Sequence, residues 1–183
     1  MTRAYRNSHG QQISEFGAAL AILFVVIFIP FLDLGILPIR YFLAKEIIGN
    51  YARKLSLCET YTQALSILNS DPSMENQLIK LGGVKPRQIR CNLIISSTKT
   101  GERYVAEGPK RIPGQWLPNG YKSPCDYAVQ VSAEVDISPV VLVKGLGAKT
   151  PGLNCPVSFT IASEANWENL GCDPVTKVFF VNE

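Results

Sequence analysis

The chain has 183 residues, of which 46% are hydrophobic and only 18% are charged, against about 25% charged residues in ordinary soluble domains. Its net charge of +3 falls to +1 without Arg3 and Arg6, so the body of the protein lacks the basic field that strong nucleic-acid binding requires. His9 is the only histidine, which excludes histidine-based catalytic triads and histidine-rich metal sites from the rest of the chain.

An uncharged apolar run near the N-terminus, residues 16–32, accounts for the shortage of charge. Counted from Gln11, the run predicts a helix of about 33 Å at about 1.5 Å per residue, enough to cross a bilayer. Residues 1–10 carry two arginines and no acidic residue, which favours a cytoplasmic leader. A secretory signal peptide would end in a small-residue cleavage site, whereas this run is followed by Asp33. We therefore expect a single membrane anchor over residues 11–43.

The junction between leader and apolar run carries Gly10 and Gln11, followed by a single carboxylate at Glu15 and then Phe16. This spacing resembles the leader of the type IV pilin superfamily, in which a membrane aspartyl peptidase cuts after the glycine. The resemblance implies cleavage between Gly10 and Gln11 and a new α-amino group on Gln11, which Glu15 of a neighbouring subunit would neutralise. The alternative is that Ser14 caps the helix and Glu15 complements its positive end.

Two prolines, Pro30 and Pro38, interrupt the apolar helix and predict kinks, because each removes a backbone hydrogen bond. Asp33 lies between them, near the expected membrane exit. Its carboxylate could pair with Arg40, reach the lipid headgroups or contact a partner helix. We favour the contact with a partner helix.

The segment after the anchor, residues 44–82, is expected to be a helical stalk followed by a short helix. Apolar residues recur at helical spacing from Ala44 to Leu68, which predicts that the helix continues outside the membrane and buries one face against the following domain. Asp71-Pro72 then predicts the start of a short helix, and Gly82-Gly83 its end.

The remaining residues, 84–183, alternate apolar and polar side chains between connections rich in glycine and proline. The strongest predicted strand covers residues 127–137, and others begin near Ile89, Glu102 and Cys155. These alternations predict an α+β fold, in which the long N-terminal helix packs on one face of an antiparallel sheet and the other face is solvated.

Two long connections, residues 107–124 and 144–154, are of the kind that often carries contacts. Trp116 and Tyr121 in the first are either exposed adhesive groups or side chains packed back over the sheet. The sequence leaves both possibilities open.

Five cysteines in a domain expected to be exported predict an oxidising compartment and up to two disulfides. Sequence alone does not choose among the possible pairings of Cys58, Cys91, Cys125, Cys155 and Cys172. We prefer Cys91 with Cys125 and Cys155 with Cys172, because each pair joins nearby segments of the expected sheet. The chain has no C-x-x-C motif and no metal-ligand spacing, so we expect no metal and no cofactor.

The N-terminal third is similar to the TadE-like proteins, minor pilins or pseudopilins of the tight-adherence (type IVc, Flp) pilus system. The residues that carry the similarity are Gly10, Glu15, Phe16, Asp33, the helix continuing to about Leu68, and loosely the β-rich stretch from Tyr127 to Ala162. The resemblance implies a pilin-like fold and a non-enzymatic pilus component for surface adhesion, matured by a prepilin peptidase. It also implies a single inner-membrane span with an extracytoplasmic C-terminal domain, in contact with lipid, other pilins and inner-membrane assembly proteins.

Three other functions compete with this one. A single-span surface adhesin or binding module would keep its leader and never polymerise, and N-terminal sequencing separates it from a pilin. A type II secretion pseudopilin would share the leader. An enzyme would have to use Glu134 and Asp136, which lie two positions apart on the expected solvated face, where carboxylates are common.

Overall fold

The computed structural model describes the backbone of residues 8–141 and 150–183, and side chains from residue 15 onward within those ranges. Its N-terminal part is one uninterrupted helix built from three segments: α1 (Ser8–Leu23), a π-helical turn (Phe24–Phe28) and α2 (Ile29–Ser56). The two prolines at which kinks were predicted, Pro30 and Pro38, both lie within this helix. The π-helical turn directly precedes Pro30, which lacks the amide hydrogen that regular α-helical bonding would use, and there the Ile29 N–H donates to the Phe24 carbonyl.

Two shorter helices follow, α3 (Tyr61–Ser70) and α4 (Ser73–Lys80). The prediction of one helix continuing to Leu68 is therefore wrong, because α2 ends at Ser56 and the chain turns before α3. The turn is stabilised by Thr60, whose hydroxyl oxygen caps α3 by accepting the Gln63 N–H at 3.2 Å.

The predicted short helix is present as α4 but is one residue shorter at each end, because Pro72 is its N-cap residue and Leu81 its C-cap residue. The Asp71 carboxylate accepts the Ser73 N–H at 2.9 Å, which satisfies a free amide in the first turn. Past the helix, Gly82 and Gly83 have φ values of +69° and +72°, a left-handed conformation that glycine adopts without steric cost.

The rest of the domain is a four-stranded sheet. Its strands are β1 (Val84–Ser97), β2 (Arg103–Glu107), β3 (Cys125–Ile137) and β4 (Val157–Asn166). They are arranged in the order β2-β1-β3-β4, with every neighbouring pair antiparallel. The expected α+β architecture, with a long apolar N-terminal helix and an antiparallel sheet, is confirmed.

The core lies between the inner face of this sheet and the helices. Alternate side chains of β3, from Tyr127 to Ile137, are all buried, as the period-two pattern predicts. The second half of α2 packs across β3 and β4, while α4 packs against β1. The outer face of β4 is exposed at every second residue, which is the expected solvated side.

The connection over residues 107–124 folds back over the inner face of the sheet. Trp116 is 4% exposed and stacks on Tyr104 with ring centroids 5.8 Å apart. The Tyr127 hydroxyl donates to the Trp116 carbonyl at 2.7 Å. Trp116 is thus a packing group, whereas Tyr121 is 75% exposed.

The C-terminal segment after β4 is fastened to α3. Trp167 is buried and meets the ring of Tyr61 edge-on, with centroids 6.3 Å apart. Val181 is also buried, and the Thr62 N–H donates to the Glu183 carbonyl at 3.2 Å. These contacts close the end of the core that lies farthest along α2.

Candidate membrane and assembly site

The N-terminal half of the long helix carries an apolar surface that no other described element covers. We call residues 15–32 the exposed helix segment. All of its side chains are exposed or half-buried, including large ones such as Phe16, Phe24 and Phe31. The helix that contains this segment is long and apolar enough to span a membrane.

The residues predicted for processing and assembly lie at the far end of this segment. The Gly10–Gln11 peptide bond lies within the first turn of α1, while the side chains of residues 8–14 are outside the described set. Glu15 and Phe16 are both exposed. Along a helix that rises about 1.5 Å per residue, Phe16 lies about 25 Å from Asp33.

Among the described residues, Asp33 is the first position along the helix that is buried against the folded domain. This side chain is 1% exposed, and its Oδ1 accepts the backbone N–H groups of Val140 at 2.8 Å and Val141 at 3.2 Å. Its Oδ2 is buried and has no hydrogen-bond partner among the described residues. The predicted contact of Asp33 with a partner helix is therefore replaced by a contact within the chain, because the segment leaving β3 turns back onto α2.

We call residues 138–141 and 150–152, which meet the helix here, the collar. The Arg40 guanidinium donates to the Ser138 carbonyl, and the Ser138 N–H donates to the Gly83 carbonyl at 2.7 Å. On the other side, a Cβ at Gly152 would lie 2.9 Å from Leu37 Cδ1, so the backbone there touches the helix. Three successive turns of α2 are thus fastened to the end of the sheet.

The second predicted contact loop, residues 144–154, overlaps the collar at residues 150–152. Residues 144–149 lie outside the described part of the chain. The remaining residues form a turn in which the Asn154 N–H donates to the Thr150 carbonyl at 3.1 Å and the Gly152 N–H donates to the Cys155 carbonyl at 2.9 Å. This turn leads directly into β4.

The side of α2 that faces away from the collar remains apolar for two to three more turns. Its exposed side chains there are Leu34, Ile39, Phe42 and Leu43, which we call the outward strip. Beyond the strip, Lys45 and Glu46 are exposed and the helix surface becomes charged. The apolar surface available to a lipid or a partner helix therefore extends about ten residues past the first contact with the folded domain.

The carboxylates considered for catalysis are placed on the outer sheet face. Asp136 Oδ1 accepts the Ser158 hydroxyl and its Oδ2 accepts Arg87 Nε, both at 2.6 Å. The bond from Ser158, together with Arg87, holds the pKa of Asp136 below its ordinary value. Asp136 thereby ties three strands together, while Glu134 is exposed. Across residues 15–141 and 150–183, no group of three or more His, Cys, Asp or Glu side chains is placed to hold a metal ion.

The preferred pairing of Cys91 with Cys125 is wrong. All five cysteines lie in the described part of the chain as free thiols. In the register of β1 with β3, Cys91 pairs with Val131 and Cys125 pairs with Ser97. The two cysteines are therefore six positions apart along the strands, about 20 Å at about 3.3 Å per residue, far beyond disulfide reach.

The preferred pairing of Cys155 with Cys172 is wrong for a similar reason. Cys155 precedes β4 and Cys172 follows it, so the strand separates them by about 30 Å. Nearness in sequence does not bring two residues together when a full strand runs between them.

The contacts that hold the collar to the helix could not be predicted from the sequence. The partner of Arg40 cannot be identified from the sequence, because the acceptor is the backbone carbonyl of Ser138 and every residue has a backbone carbonyl. The amides of Val140 and Val141 are equally invisible in a sequence. The end of β3 at Ser138-Pro139 is the nearest available signal, and it indicates only that the strand stops there.

Comparison with protein-family models, with curated proteins and with solved structures finds no match to this chain. The residues and contacts described above are therefore the basis on which a function can be proposed.

Proposed function

We propose that this protein is a minor pilin or pseudopilin of the tight-adherence (type IVc) pilus system, a structural component and not an enzyme. In this proposal a prepilin peptidase cuts between Gly10 and Gln11, and the exposed helix segment stays in the inner membrane with the sheet domain outside the cytoplasm. The observation that supports the proposal is the exposed helix segment, whose apolar side chains are exposed or half-buried around the whole circumference of the helix. This segment continues without interruption into the part of α2 that packs against the sheet.

An apolar helix of this kind must be shielded from water by lipid or by another protein surface. Soluble monomers rarely expose contiguous apolar patches larger than a few hundred Å², and this segment exposes apolar side chains all around its circumference. In lipid, a helix satisfies all its backbone groups internally, so a bilayer is a suitable environment for it. Neighbouring helices in the bilayer are the other suitable cover.

The outward strip favours assembly over simple anchoring. The uncharged run over residues 16–32 is 17 residues long, which already falls within the range of about 17–25 residues that spans a bilayer. Exposed apolar side chains beyond this run, beside a folded domain, are typical of a surface that packs against another protein. Leu34, Ile39 and Phe42 remain exposed alongside that domain, and this is where the helix of an adjacent subunit would pack.

The position of Glu15 fits the same proposal. A carboxylate at the edge of lipid is costly unless it has a partner, and cleavage creates an amine four residues earlier in each subunit. When subunits pack with their helices side by side, the Glu15 carboxylate of one and the Gln11 α-amino group of another can neutralise each other.

The first test is the identity of the N-terminal residue in protein extracted from membranes. Intact-mass measurement and N-terminal sequencing should find Gln11 as the first residue. A chain that still begins at Met1 or Thr2 would refute the proposal and would favour the non-polymerising, membrane-anchored adhesin.

The second test separates assembly from processing. Glu15→Ala should leave cleavage and membrane insertion intact but remove the protein from sheared, sedimented filaments, with at least a tenfold loss by immunoblot. Glu46→Ala is the matched control, since Glu46 is an exposed carboxylate on the same helix beyond the outward strip. Normal incorporation of Glu15→Ala would overturn the proposed role of this carboxylate.

A further inference from the structure

The part of the collar that meets the end of the exposed helix segment carries two exposed valines. Val140 and Val141 are 51% and 38% exposed, although their backbone N–H groups are bonded to Asp33. None of the collar residues is charged, since residues 138–141 are Ser, Pro, Val and Val and residues 150–152 are Thr, Pro and Gly. The folded domain therefore meets the exposed helix segment with an uncharged, partly apolar edge.

The length of the helix places this edge at the surface of a bilayer. Glu15 and Asp33 are 18 residues apart, which is about 27 Å at about 1.5 Å per residue. The hydrocarbon core of a bilayer is about 30 Å thick, and a tilted helix crosses less of it than its own length. With Glu15 at one edge of the hydrocarbon, Asp33 and the two valines bonded to it lie just inside the other edge.

The contact with Asp33 removes two obstacles to lipid contact. A backbone N–H without an acceptor is costly in hydrocarbon, but the N–H groups of Val140 and Val141 already donate to Asp33 Oδ1 at 2.8 and 3.2 Å. The same contact buries the Asp33 side chain, which is 1% exposed. Lipid at this level therefore meets valine side chains and not a carboxylate.

Charged side chains on α2 begin farther from the exposed helix segment. Arg40 lies about 10 Å beyond Asp33 along the axis, at the level of lipid headgroups, and its guanidinium is bonded to the Ser138 carbonyl. Lys45 and Glu46 are exposed and begin about 18 Å beyond Asp33, in water. The polarity of the molecule along this axis thus follows that of a bilayer surface.

We propose that the collar is a second membrane-contact surface, in which the side chains of Val140 and Val141 enter the boundary between lipid headgroups and acyl chains beside the anchoring helix. The inference rests on the proposed function, which places the exposed helix segment in the bilayer. The contact sets the height of the sheet domain above the membrane. Because the outward strip lies on the other side of α2, the collar can contact lipid while the strip packs against an adjacent subunit.

Quenching of tryptophan fluorescence by brominated lipid tests the contact. The full chain is reconstituted into phosphatidylcholine vesicles whose acyl chains are either unmodified or brominated near the headgroup end, because bromine quenches tryptophan only at short range. Val140→Trp and Val141→Trp each place an indole in the collar. The parent, in which Trp116 and Trp167 are buried, supplies the signal to subtract. The added fluorescence of both variants should fall at least twofold in the brominated vesicles.

Two matched variants define the range of the measurement. Phe24→Trp places an indole within the exposed helix segment and should also be quenched. Leu57→Trp replaces an apolar side chain that is 65% exposed and lies about 36 Å beyond Asp33 along the helix axis. Its fluorescence should be the same in both kinds of vesicle. Circular dichroism of each variant is compared with that of the parent to confirm that the fold is retained.

The possible failures give different results. Quenching of Phe24→Trp without quenching of either collar variant would overturn the collar contact and leave the membrane anchor intact. Equal quenching of Leu57→Trp and the collar variants would also overturn it, because the whole domain would then lie on the membrane. Phe24→Trp fluorescence that is unaffected by bromine would overturn the membrane location of the exposed helix segment, and with it both the proposed function and the collar contact.

Discussion

The hydrogen bond from Arg40 to the collar is the contact whose contribution to stability can be tested most directly. Two adjacent glycines, Gly82 and Gly83, lie near it, and only Gly83 lies against the Arg40 side chain. Gly82 and Gly83 both have left-handed backbones, with φ values of +69° and +72°. A Cβ added at Gly82 would meet nothing within 4 Å, whereas one at Gly83 would lie 2.6 Å from Arg40 Nη1. Replacing each with alanine applies the same backbone strain, and the second replacement also displaces the Arg40 guanidinium from the Ser138 carbonyl.

The two costs can be estimated separately. A left-handed conformation costs a non-glycine residue about 1–2 kcal/mol, so Gly82→Ala should lower the free energy of unfolding by about that amount. Loss of a hydrogen bond from a charged donor adds about 1.5–3 kcal/mol for Gly83→Ala. In a folded region of this size each kcal/mol shifts the melting temperature by about 2–4 °C, so Gly83→Ala should melt roughly 3–12 °C below Gly82→Ala.

The assay is thermal unfolding of the detergent-solubilised chain, followed by circular dichroism in the β-sheet region. The decisive comparison repeats both substitutions in an Arg40→Gln background, where the contact at Gly83 no longer displaces a charged donor. There the two alanine variants should melt within about 2 °C of each other. Equal melting temperatures in the parent background, or an unchanged difference in the Arg40→Gln background, would refute the assigned role of Arg40.

Two further predictions concern the ends of α2. Asp33→Ala should speed proteolytic cleavage within the collar several-fold, since two backbone amides lose their acceptor. The cleavage rate of Asp33→Asn should lie between those of Asp33→Ala and the parent. Equal cleavage rates for all three proteins would contradict the contact. At the other end, Lys54 donates to Asp71 Oδ2 at 2.6 Å, and this bond, with that from a backbone amide, lowers the pKa of Asp71 from 3.8 to about 2. The stabilisation is therefore present above pH 3.8 and is lost as the pH falls toward about 2, so Lys54→Met should flatten the dependence of the melting temperature on pH in that window.

The sheet could be predicted from the sequence because alternation is a local property. A strand with one buried face must place an apolar residue at every second position, and residues 127–137 do so without exception. The approximate boundaries of α4 could also be predicted from the sequence, since Asp71 and Gly82-Gly83 act on the backbone of their immediate neighbours. These signals need no knowledge of the rest of the fold.

The break between α2 and α3 was missed because the apolar spacing continues across it. Tyr61 is buried like the apolar residues of α2, so the helical period alone does not reveal the turn. The useful signal was Thr60, a good N-cap residue followed three positions later by Gln63. The Glu59 N–H also donates to Gln63 Oε1 at 3.0 Å, close to the pattern of a capping box.

The site was predictable only where it depends on composition. The exposed helix segment follows from a run of uncharged residues, but the partners of Asp33 and of the cysteines depend on strand register and on how a loop returns to the helix.

The continuity of the helix has a mechanical consequence. Any tension applied to its N-terminal end is transmitted along the axis to the region where α2 lies across β3 and β4. Loaded in that direction, the helix must slide along the sheet, and many side-chain contacts resist at the same time instead of peeling apart in succession. The Asp33 and Arg40 bonds lie at the leading edge of this region and would bear the load first.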